Sequence, residues 1–486
     1  MERLIKCGHV QVKDAKSIGM SRLGVGFEKL DRKVFDPENA YDLVAEMGVH
    51  YVRLQSGWQR TETVKGVYDF GWLDDIVDNI IARGQEPWID LCYGNELYTE
   101  SAKKYFGAVG IPPIHSEEEM SAWLRYTEAT VRHFHGRVKW YEIWNEPDGL
   151  FCWKHGVNAV EYGDFAVATA KAIHAADKNA LAIAGVLCYI NLPYFKVMFD
   201  RGVADAADAV SFHRYNADEL NALNEIKALR ALINRYNPNL KIIQGESGTQ
   251  SDSRGKGALR GGAWTERKQA KYTLRHRLLD LSSEVTFTSH FSALDMIEAL
   301  NGRVGDKASY LDYGYFGLLH ADFDEDGVAC GTYSPKMSYR AMQHLTALFP
   351  ENVKPCDLPI TRRQEDSPRV FGKDDASSQI VMLGFDNGKG AQALAYWKAA
   401  DLMRETFDGT ISFLLAGENR KIGLIDLMTG EKYALPDSMI CRANATVDGE
   451  GSVDRFEEAV KLVNLPLTDS PLLLTFGDFE EGDCNA

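Results

Sequence analysis

Between residues 21 and 349 the chain repeats one pattern, a short apolar run followed by a segment with helical periodicity. The pattern occurs eight times, with apolar runs at residues 24–27, 49–54, 87–93, 138–144, 181–187, 209–212, 241–245 and 285–291. Every gap between runs is long enough for the crossover of about a dozen residues that parallel strands need. The pattern therefore predicts an α/β fold with a closed (β/α)8 TIM barrel over residues 21–349.

An open, doubly wound parallel sheet is the alternative arrangement for the same alternation of strands and helices. That fold would favour a glycine-rich phosphate loop directly after the first strand. The residues found there are Glu28-Lys29-Leu30-Asp31, which contain no glycine. The closed barrel is therefore the preferred prediction.

Beyond residue 350 the pattern changes to short strand-like runs without a long helical stripe. Glycine, asparagine and aspartate separate these runs, which lie at residues 380–385, 392–397, 410–415, 422–427 and 472–476. Regularly spaced short strands with turn residues between them are typical of a β-sandwich. Residues 350–486 are thus expected to form a C-terminal all-β sandwich domain, and residues 1–20 are a candidate for an additional strand of that domain.

Composition restricts the environment and the partners of the chain. Its 486 residues carry a net charge of −16, whereas nucleic acids and anionic membranes attract basic surfaces. No apolar run has the length of a membrane span, and the first residues lack the apolar core of a signal peptide. The eight cysteines are scattered without Cys-x-x-Cys spacing, which favours free thiols and a cytoplasmic location. No cluster has metal-ligand spacing, so neither a metal nor another cofactor is expected.

The fourth strand ends in residues that point to chemistry. Its aromatic run is followed by Asn145 and Glu146, and Pro147 then ends the strand because proline has no N–H to donate. A carboxylate at the mouth of a buried strand is costly unless it is paired or used. The sequence Asn-Glu-Pro after an aromatic strand resembles the acid/base motif of a clan of (β/α)8 glycoside hydrolases. This clan, clan A, includes the β-xylosidase and α-L-iduronidase family, family 39, together with many cellulases and mannanases.

The resemblance implies a second glutamate at the end of the seventh strand, and Glu246 stands there. In a barrel both glutamates would face the C-terminal mouth, where such enzymes place their active sites. The resemblance then implies that Glu146 is the acid/base and Glu246 the nucleophile of a retaining glycosidase. The alternative for either residue is a solvated carboxylate at a strand end.

Other residues at the ends of strands have supporting roles by the same resemblance. Arg53 would hold the nucleophile ionised, Tyr215 would donate a hydrogen bond to it, and His213 would line the floor of the sugar site. Asn145 can donate to the hydroxyl next to the anomeric carbon, and Glu28 can accept from hydroxyls at the closed end of a pocket. The alternatives are a structural ion pair for Arg53 and a satisfied core histidine for His213.

Aromatic rings stack on the apolar faces of sugars, so aromatic residues near strand ends are candidates for substrate binding. These candidates, each of which could instead belong to the core, are Trp58, Tyr93, Trp144, Trp153, Trp264 and Phe291. His290 precedes Phe291 on the eighth strand and is a further candidate. This strand departs from the clan, because it ends in Ser289-His290-Phe291 and not in the usual tryptophan.

The function predicted from these features is exo-acting retaining hydrolysis of oligosaccharides or glycosides, through a covalent glycosyl-enzyme intermediate. Long loops at residues 94–116, 247–265 and 292–333 favour a pocket over an open cleft. The alternatives are an endo-acting glycanase of the same clan and a catalytically silent carbohydrate-binding barrel. A carbohydrate is the expected partner, and a homo-oligomer is compatible with these features.

Overall fold

Eight parallel strands close into a barrel in the computed structural model, which describes residues 4–216, 219–362, 379–442, 446–447, 453–454 and 459–480. An N-terminal strand, β1 (Ile5–His9), precedes the barrel. The barrel strands follow one another around the ring in chain order: β2 (Leu23–Gly26), β3 (Tyr51–Gln55), β4 (Glu86–Leu91), β5 (Trp140–Ile143), β6 (Leu181–Leu187), β7 (Ala209–His213), β8 (Lys241–Ser247) and β9 (Val285–His290). The predicted TIM barrel is confirmed.

Helices surround the barrel and connect its strands. They are α1 (Ala15–Ile18), α2 (Tyr41–Glu46), α3 (Trp58–Thr61), α4 (Gly71–Ala82), α5 (Glu117–His133), α6 (Ala159–Ala176), α7 (Leu192–Asp200), α8 (Val203–Ala206), α9 (Ala222–Ile233), α10 (Glu266–Leu281) and α11 (Met337–Leu348). The longest ones begin at polar caps: the side chains of Ser116, Asn158 and Thr265 each accept a hydrogen bond from a backbone N–H of the first turn. No helix in the described ranges is long and apolar enough to cross a bilayer.

The interior of the barrel has an apolar floor with a polar layer above it. The floor contains Tyr51, Trp88, Trp140, Ile183, Ala209, Ile243 and Phe287. Side chains two residues apart on a strand share a face. Arg53, Asp90 and Glu142 therefore stand in the interior directly above Tyr51, Trp88 and Trp140, one step closer to the C-terminal mouth. The strand register thus places a charged layer on an aromatic base.

The connection between β9 and α11 contains two hairpins where the sequence predicted one long loop. Strands β10 (Met296–Ile297) and β11 (Tyr313–Gly314) form the first, and β12 (Leu319–Phe323) and β13 (Ala329–Pro335) form the second. Leu318 N donates to Ser292 O at 3.0 Å, which ties the second hairpin to the end of β9. This segment is therefore an ordered wall beside the barrel mouth.

The C-terminal region forms a two-sheet sandwich, as the sequence predicted. Its described strands are β14 (Lys354–Pro355), β15 (Ile360–Arg362), β16 (Ile380–Asp386), β17 (Gln392–Lys398), β18 (Asp408–Ala416), β19 (Ile422–Asp426), β20 (Glu431–Ala434), β21 (Ile440–Arg442), β22 (Thr446–Val447), β23 (Val453–Asp454), β24 (Ala459–Thr468) and β25 (Leu472–Phe476). One sheet has the order β1-β20-β19-β25-β17-β16-β14, and the other has the order β15-β18-β24-β21. The N-terminal strand thus lies at an edge of the first sheet.

The sandwich is joined to the barrel through α10. Lys271 on this helix lies 2.7 Å from Asp469, and Arg275 lies 3.2 Å from Glu219 in the loop after β7. Arg275 also donates to the backbone oxygen of Ala400 at 2.9 Å. Because these charges are buried, the two domains share one electrostatically paired interface.

Candidate active site

Two glutamates meet at the C-terminal mouth of the barrel. Glu146 follows β5 with φ +47°, and its N–H donates to Val186 O of β6 at 2.9 Å. Glu246 lies near the end of β8. One carboxylate oxygen of each glutamate and a ring nitrogen of His213 lie within 4.8 Å of one another. Each glutamate is only 8% exposed, so the pair occupies a recess.

Glu246 is held through both of its oxygens. Arg53 Nη1 donates to Oε2 at 2.8 Å, and the Tyr215 hydroxyl donates to Oε1. These are the contacts that the resemblance implied. His213 Nδ1 lies 3.7 Å from Oε2 on a further side. Donors on several sides fix this carboxylate in one position and orientation.

Arg53 is fully buried and connects the charged layer. It donates from Nε to Glu142 at 2.6 Å, from Nη1 to Glu28 at 2.9 Å, and from Nη2 to Asn145 Oδ1 at 2.9 Å. Asp90 lies 3.6 Å from Nη2. Burial opposes the charge of the guanidinium, but the surrounding carboxylates, Glu142 foremost, outweigh it and raise the pKa of Arg53 well above its ordinary value.

One guanidinium faces more carboxyl groups than it can neutralise. Burial raises the pKa of Glu28 to about 7, although Arg53 opposes this rise. Burial likewise raises the pKa of Asp90 to about 8, again against the effect of Arg53. The interior therefore carries protonated carboxyl groups near neutral pH, which limits the like-charge repulsion around Glu246.

His213 lies between the two glutamates. Its Nδ1 is 3.0 Å from Glu146 Oε1, and the ring is fully buried. Burial lowers the pKa of the imidazole, but the charges of Glu246 and Glu146 outweigh burial and raise the pKa to about 9. Near neutral pH the imidazole is therefore protonated and donates to Glu146.

The amide of Asn145 is fixed beside the acid/base candidate. Its oxygen accepts from Arg53, and its Nδ2 lies 3.5 Å from the Sγ of Cys152. The hydroxyl of Tyr93 lies 3.7 Å from the same sulfur and 3.5 Å from Gln55 Nε2. Asn145 and Tyr93 are therefore part of the wall that surrounds the two glutamates.

The aromatic candidates fall into two groups. The centroids of the Phe291 and Tyr215 rings lie 6.4 Å apart, and the Tyr215 hydroxyl contacts Glu246. Trp58, Trp144 and Trp153 instead are fully buried in the core, so the expectation that they stack on a sugar has no geometric support. The indole of Trp58 donates to Glu62 at 2.6 Å, and that of Trp144 donates to Cys152 O at 2.8 Å.

Trp264 and His290 are also placed outside the group that contacts the glutamates. The Trp264 indole donates to Leu259 O at 2.7 Å within the loop after β8. His290 Nε2 lies 3.3 Å from Phe316 O, and burial, with the charge of Arg277, lowers the pKa of His290 to about 3. A neutral, buried imidazole in this position supports the loop packing.

Sequence reasoning missed a buried ion pair at the mouth of the barrel. Lys29 Nζ lies 3.3 Å from Glu298 Oε2 and 4.9 Å from the centroid of Phe291. Lys29 has φ +65°, a left-handed conformation that is uncommon for a lysine. Burial raises the pKa of Glu298 to about 7, and the charge of Glu246 contributes to the rise. The residues are far apart in sequence, in irregular segments, so no periodic signal pointed to them.

The arrangement of the site residues makes it necessary to consider a metal ion as a cofactor. Glu146, His213 and Glu246 are the single set of three potential ligands found among the described residues. However, the raised pKa of His213 leaves its ring protonated near neutral pH, and Arg53 already pairs with Glu246. Metal ligation needs a deprotonated nitrogen, so the hydrogen-bonded pair is the better account of this cluster.

Comparisons with known proteins agree with this fold. Residues 31–227 match the model described as glycosyl hydrolases family 39. A family 39 glycoside hydrolase from Bacteroides cellulosilyticus WH2 superposes with a TM-score of 0.65 at 17% identity, over 96% of this chain and 82% of that one. A monomeric beta-xylosidase from Caulobacter crescentus CB15 gives 0.57 at 15% identity, over 96% and 97%.

Among curated proteins, Beta-galactosidase BgaA of Clostridium cellulovorans is 30% identical over 152 residues. That match covers 27% of this chain and 22% of the relative, so the chain spans about a fifth of the curated protein. The family model covers Glu146 and ends before Glu246, whose assignment depends on the geometry above. Residues 31–227 thus match the model of the same family that the sequence motifs resemble, glycosyl hydrolases family 39.

Proposed function

We propose that the chain is a retaining, exo-acting glycosidase in which Glu246 is the nucleophile and Glu146 the acid/base. The observation that carries this proposal is the approach of the two carboxylates to within 4.8 Å, measured between their nearest ligand atoms. Retaining glycosidases keep their carboxyl groups about 5–5.5 Å apart, whereas inverting enzymes leave about 6.5–9.5 Å for a water molecule. The short separation supports direct attack by one carboxylate on the anomeric carbon.

In the first step Glu246 attacks the anomeric carbon, and the bond to the leaving oxygen breaks as Glu146 gives that oxygen a proton. Arg53 and Tyr215 hold Glu246 in place for this attack. In the second step Glu146, now a carboxylate, takes a proton from water, and the resulting hydroxide equivalent displaces Glu246 from the sugar. His213 lies 3.0 Å from Glu146 and holds its carboxyl group in position for both proton transfers.

Exo action is proposed because the site is recessed. Both glutamates are 8% exposed, and the buried pair of Lys29 and Glu298 closes the side next to Phe291. A recess of this kind suits the end of a chain and not its middle. The names of the relatives make β-xylosides and β-galactosides the first substrates to test, and a cytoplasmic enzyme would meet short oligosaccharides.

The decisive experiment combines turnover with stereochemistry. Nitrophenyl β-xyloside, β-galactoside, β-glucoside and α-arabinoside are incubated with the enzyme, and proton NMR records the first anomer formed. Hydrolysis with retained configuration is expected. Glu246→Gln, purified identically, is the control for contaminating glycosidases. An inverted first product would refute the double displacement, and the absence of turnover on a wider panel would favour a binding protein.

Incubation with a long soluble polysaccharide distinguishes exo action from endo action. A pocket enzyme releases reducing sugar while the viscosity falls slowly, because each cut removes a unit from the end. Internal cutting lowers the viscosity steeply at low sugar release. The second outcome would replace the exo proposal and leave the retaining chemistry intact.

A further inference from the structure

Behind the nucleophile strand lies a buried cluster rich in hydrogen-bond donors that the hydrolysis does not use. It is formed by Arg214, which directly follows β7, by Gln244 on β8, and by His276, Arg277 and Asp280 on α10. All five side chains are at most 2% exposed. The cluster adjoins the active site through backbone, because Arg214 N donates to Glu246 O at 3.0 Å.

The acceptors of this cluster are already occupied. Asp280 accepts from Arg214 Nη2 at 3.0 Å and from Thr288 Oγ1 at 2.6 Å, and it lies 3.3 Å from Arg277 Nη2. The Gln244 oxygen accepts from Ser289 N at 3.2 Å and lies 2.9 Å from Thr288 Oγ1. The carboxylate of Asp280 and the side-chain oxygen of Gln244 are therefore already engaged.

Several donors nevertheless have no partner. Within the described part of the chain, no acceptor lies in hydrogen-bonding position for Nε and Nη1 of Arg214, Nε of Arg277 or Nε2 of Gln244, and neither ring nitrogen of His276 is bonded. Buried donors without partners are strongly destabilising, so native proteins fill such sites with water or an ion. A neutral imidazole has one acceptor nitrogen and one N–H donor, so His276 adds one acceptor, and the unpartnered donors still outnumber the acceptors.

The net charge of the cluster distinguishes between a bound water molecule and a bound ion. Two guanidinium groups, Arg214 and Arg277, face one carboxylate, Asp280. Burial and the two arginines lower the pKa of His276 well below its ordinary value, so this ring stays neutral and stacks on Tyr272 with centroids 3.8 Å apart. One positive charge is left over in a region shielded from solvent. Water can meet donors but cannot compensate that charge, whereas a small anion does both.

We propose that Arg214, Gln244, His276 and Arg277 bind one small monovalent anion, with chloride as the physiological candidate. The anion accepts the unpartnered N–H groups and neutralises the excess guanidinium charge. Through Arg277, which donates to Ser247 Oγ and Ser289 O, and through Arg214, it stabilises the segments that carry Glu246 and Phe291.

Crystals grown from protein prepared in sodium bromide test the site directly. An anomalous bromide peak within hydrogen-bonding distance of the Arg214 and Gln244 nitrogens is expected. A well-ordered water with no anomalous signal at that place would overturn the proposal.

Thermal unfolding in chloride and in gluconate, at equal ionic strength, gives an independent test. Because unfolding releases the anion, the equilibrium depends on its concentration even when exchange in the folded state is slow. Each tenfold increase in chloride above the dissociation constant should lower the unfolding equilibrium constant by about tenfold. Equal unfolding temperatures in the two salts at every concentration would contradict anion binding.

Gln244→Glu supplies a tethered carboxylate at the same place and almost the same volume. This variant should lose both the bromide peak and the chloride dependence. Gln379→Glu is the matched control, since Gln379 is exposed directly before β16 of the sandwich, and it should keep both. Persisting chloride dependence in Gln244→Glu would count against this location, and if that variant does not fold, the bromide crystals of the unmodified protein decide.

Discussion

The pKa of His213 makes the stability of the folded protein depend on pH in a defined window. The imidazole has a pKa of about 9 in the folded chain against an ordinary value of 6.5. One pKa unit corresponds to about 1.36 kcal/mol, so the charged ring contributes about 3 kcal/mol to folding. The folded pKa is raised, so this contribution is complete below pH 6.5 and is lost as the pH rises through 9.

The perturbation that isolates this contribution is His213→Asn. Asparagine keeps an N–H donor near Glu146 but does not titrate. Glu28 and Asp90 also have raised pKa values and lose protons in an overlapping range, so the difference between the two proteins is the informative quantity. Urea unfolding between pH 6 and pH 10 should show the natural chain losing about 3 kcal/mol relative to the variant.

Histidine NMR checks the same reasoning on the ring itself. A titration midpoint near 9 is expected for one histidine, and this signal should be missing in His213→Asn. In Glu246→Gln the midpoint should fall, because the charge of Glu246 is the largest contribution that raises it. A midpoint at or below 6.5 in the natural chain, or parallel stability curves for the two proteins, would refute the argument.

Three further predictions concern the proposed catalytic pair and its support. Glu246→Gln should lower turnover by about 10⁴-fold or more while the protein stays folded by circular dichroism, and azide should restore activity to Glu246→Ala but not to the glutamine variant. Glu146→Ala should slow substrates with poor leaving groups far more than substrates with good ones, because only poor leaving groups need a proton from Glu146, and equal losses would assign the acid to another residue. Gly248→Ala should cost about 2 kcal/mol or more by urea unfolding, because its Cβ would lie 2.0 Å from the carbonyl oxygen of Phe291. Gly8→Ala, whose nearest contact is 3.9 Å away, is the matched control, and equal losses would show that the backbone relaxes.

The barrel could be predicted because its signal is periodic and repeated. The predicted strand at residues 181–187 matches β6, and the ends of the other barrel strands differ by a few residues. Once eight parallel strands are assigned, their C-terminal ends must meet at one mouth. The juxtaposition of Glu146 and Glu246 therefore follows from strand order, without knowledge of any loop.

Side-chain direction at the strand ends could not be predicted in the same way. Strict alternation would put Trp144 on the same face as Glu142, inside the barrel. Trp144 has φ +68°, which ends the extended path, and its ring packs against Trp123 and Phe165 outside the strands. Arg53 shows a second limit, since a sequence can suggest a carboxylate partner but not the four that surround it.

Strand β1 has a consequence for how the protein is made. It pairs with β20, and its Lys6 contacts Glu431, 425 residues further along the chain. During synthesis the first strand emerges from the ribosome long before its partner, while the whole barrel is translated between them. Strand β1 thus lacks its pairing partner until the sandwich is translated, a period in which it is open to pairing with other nascent chains.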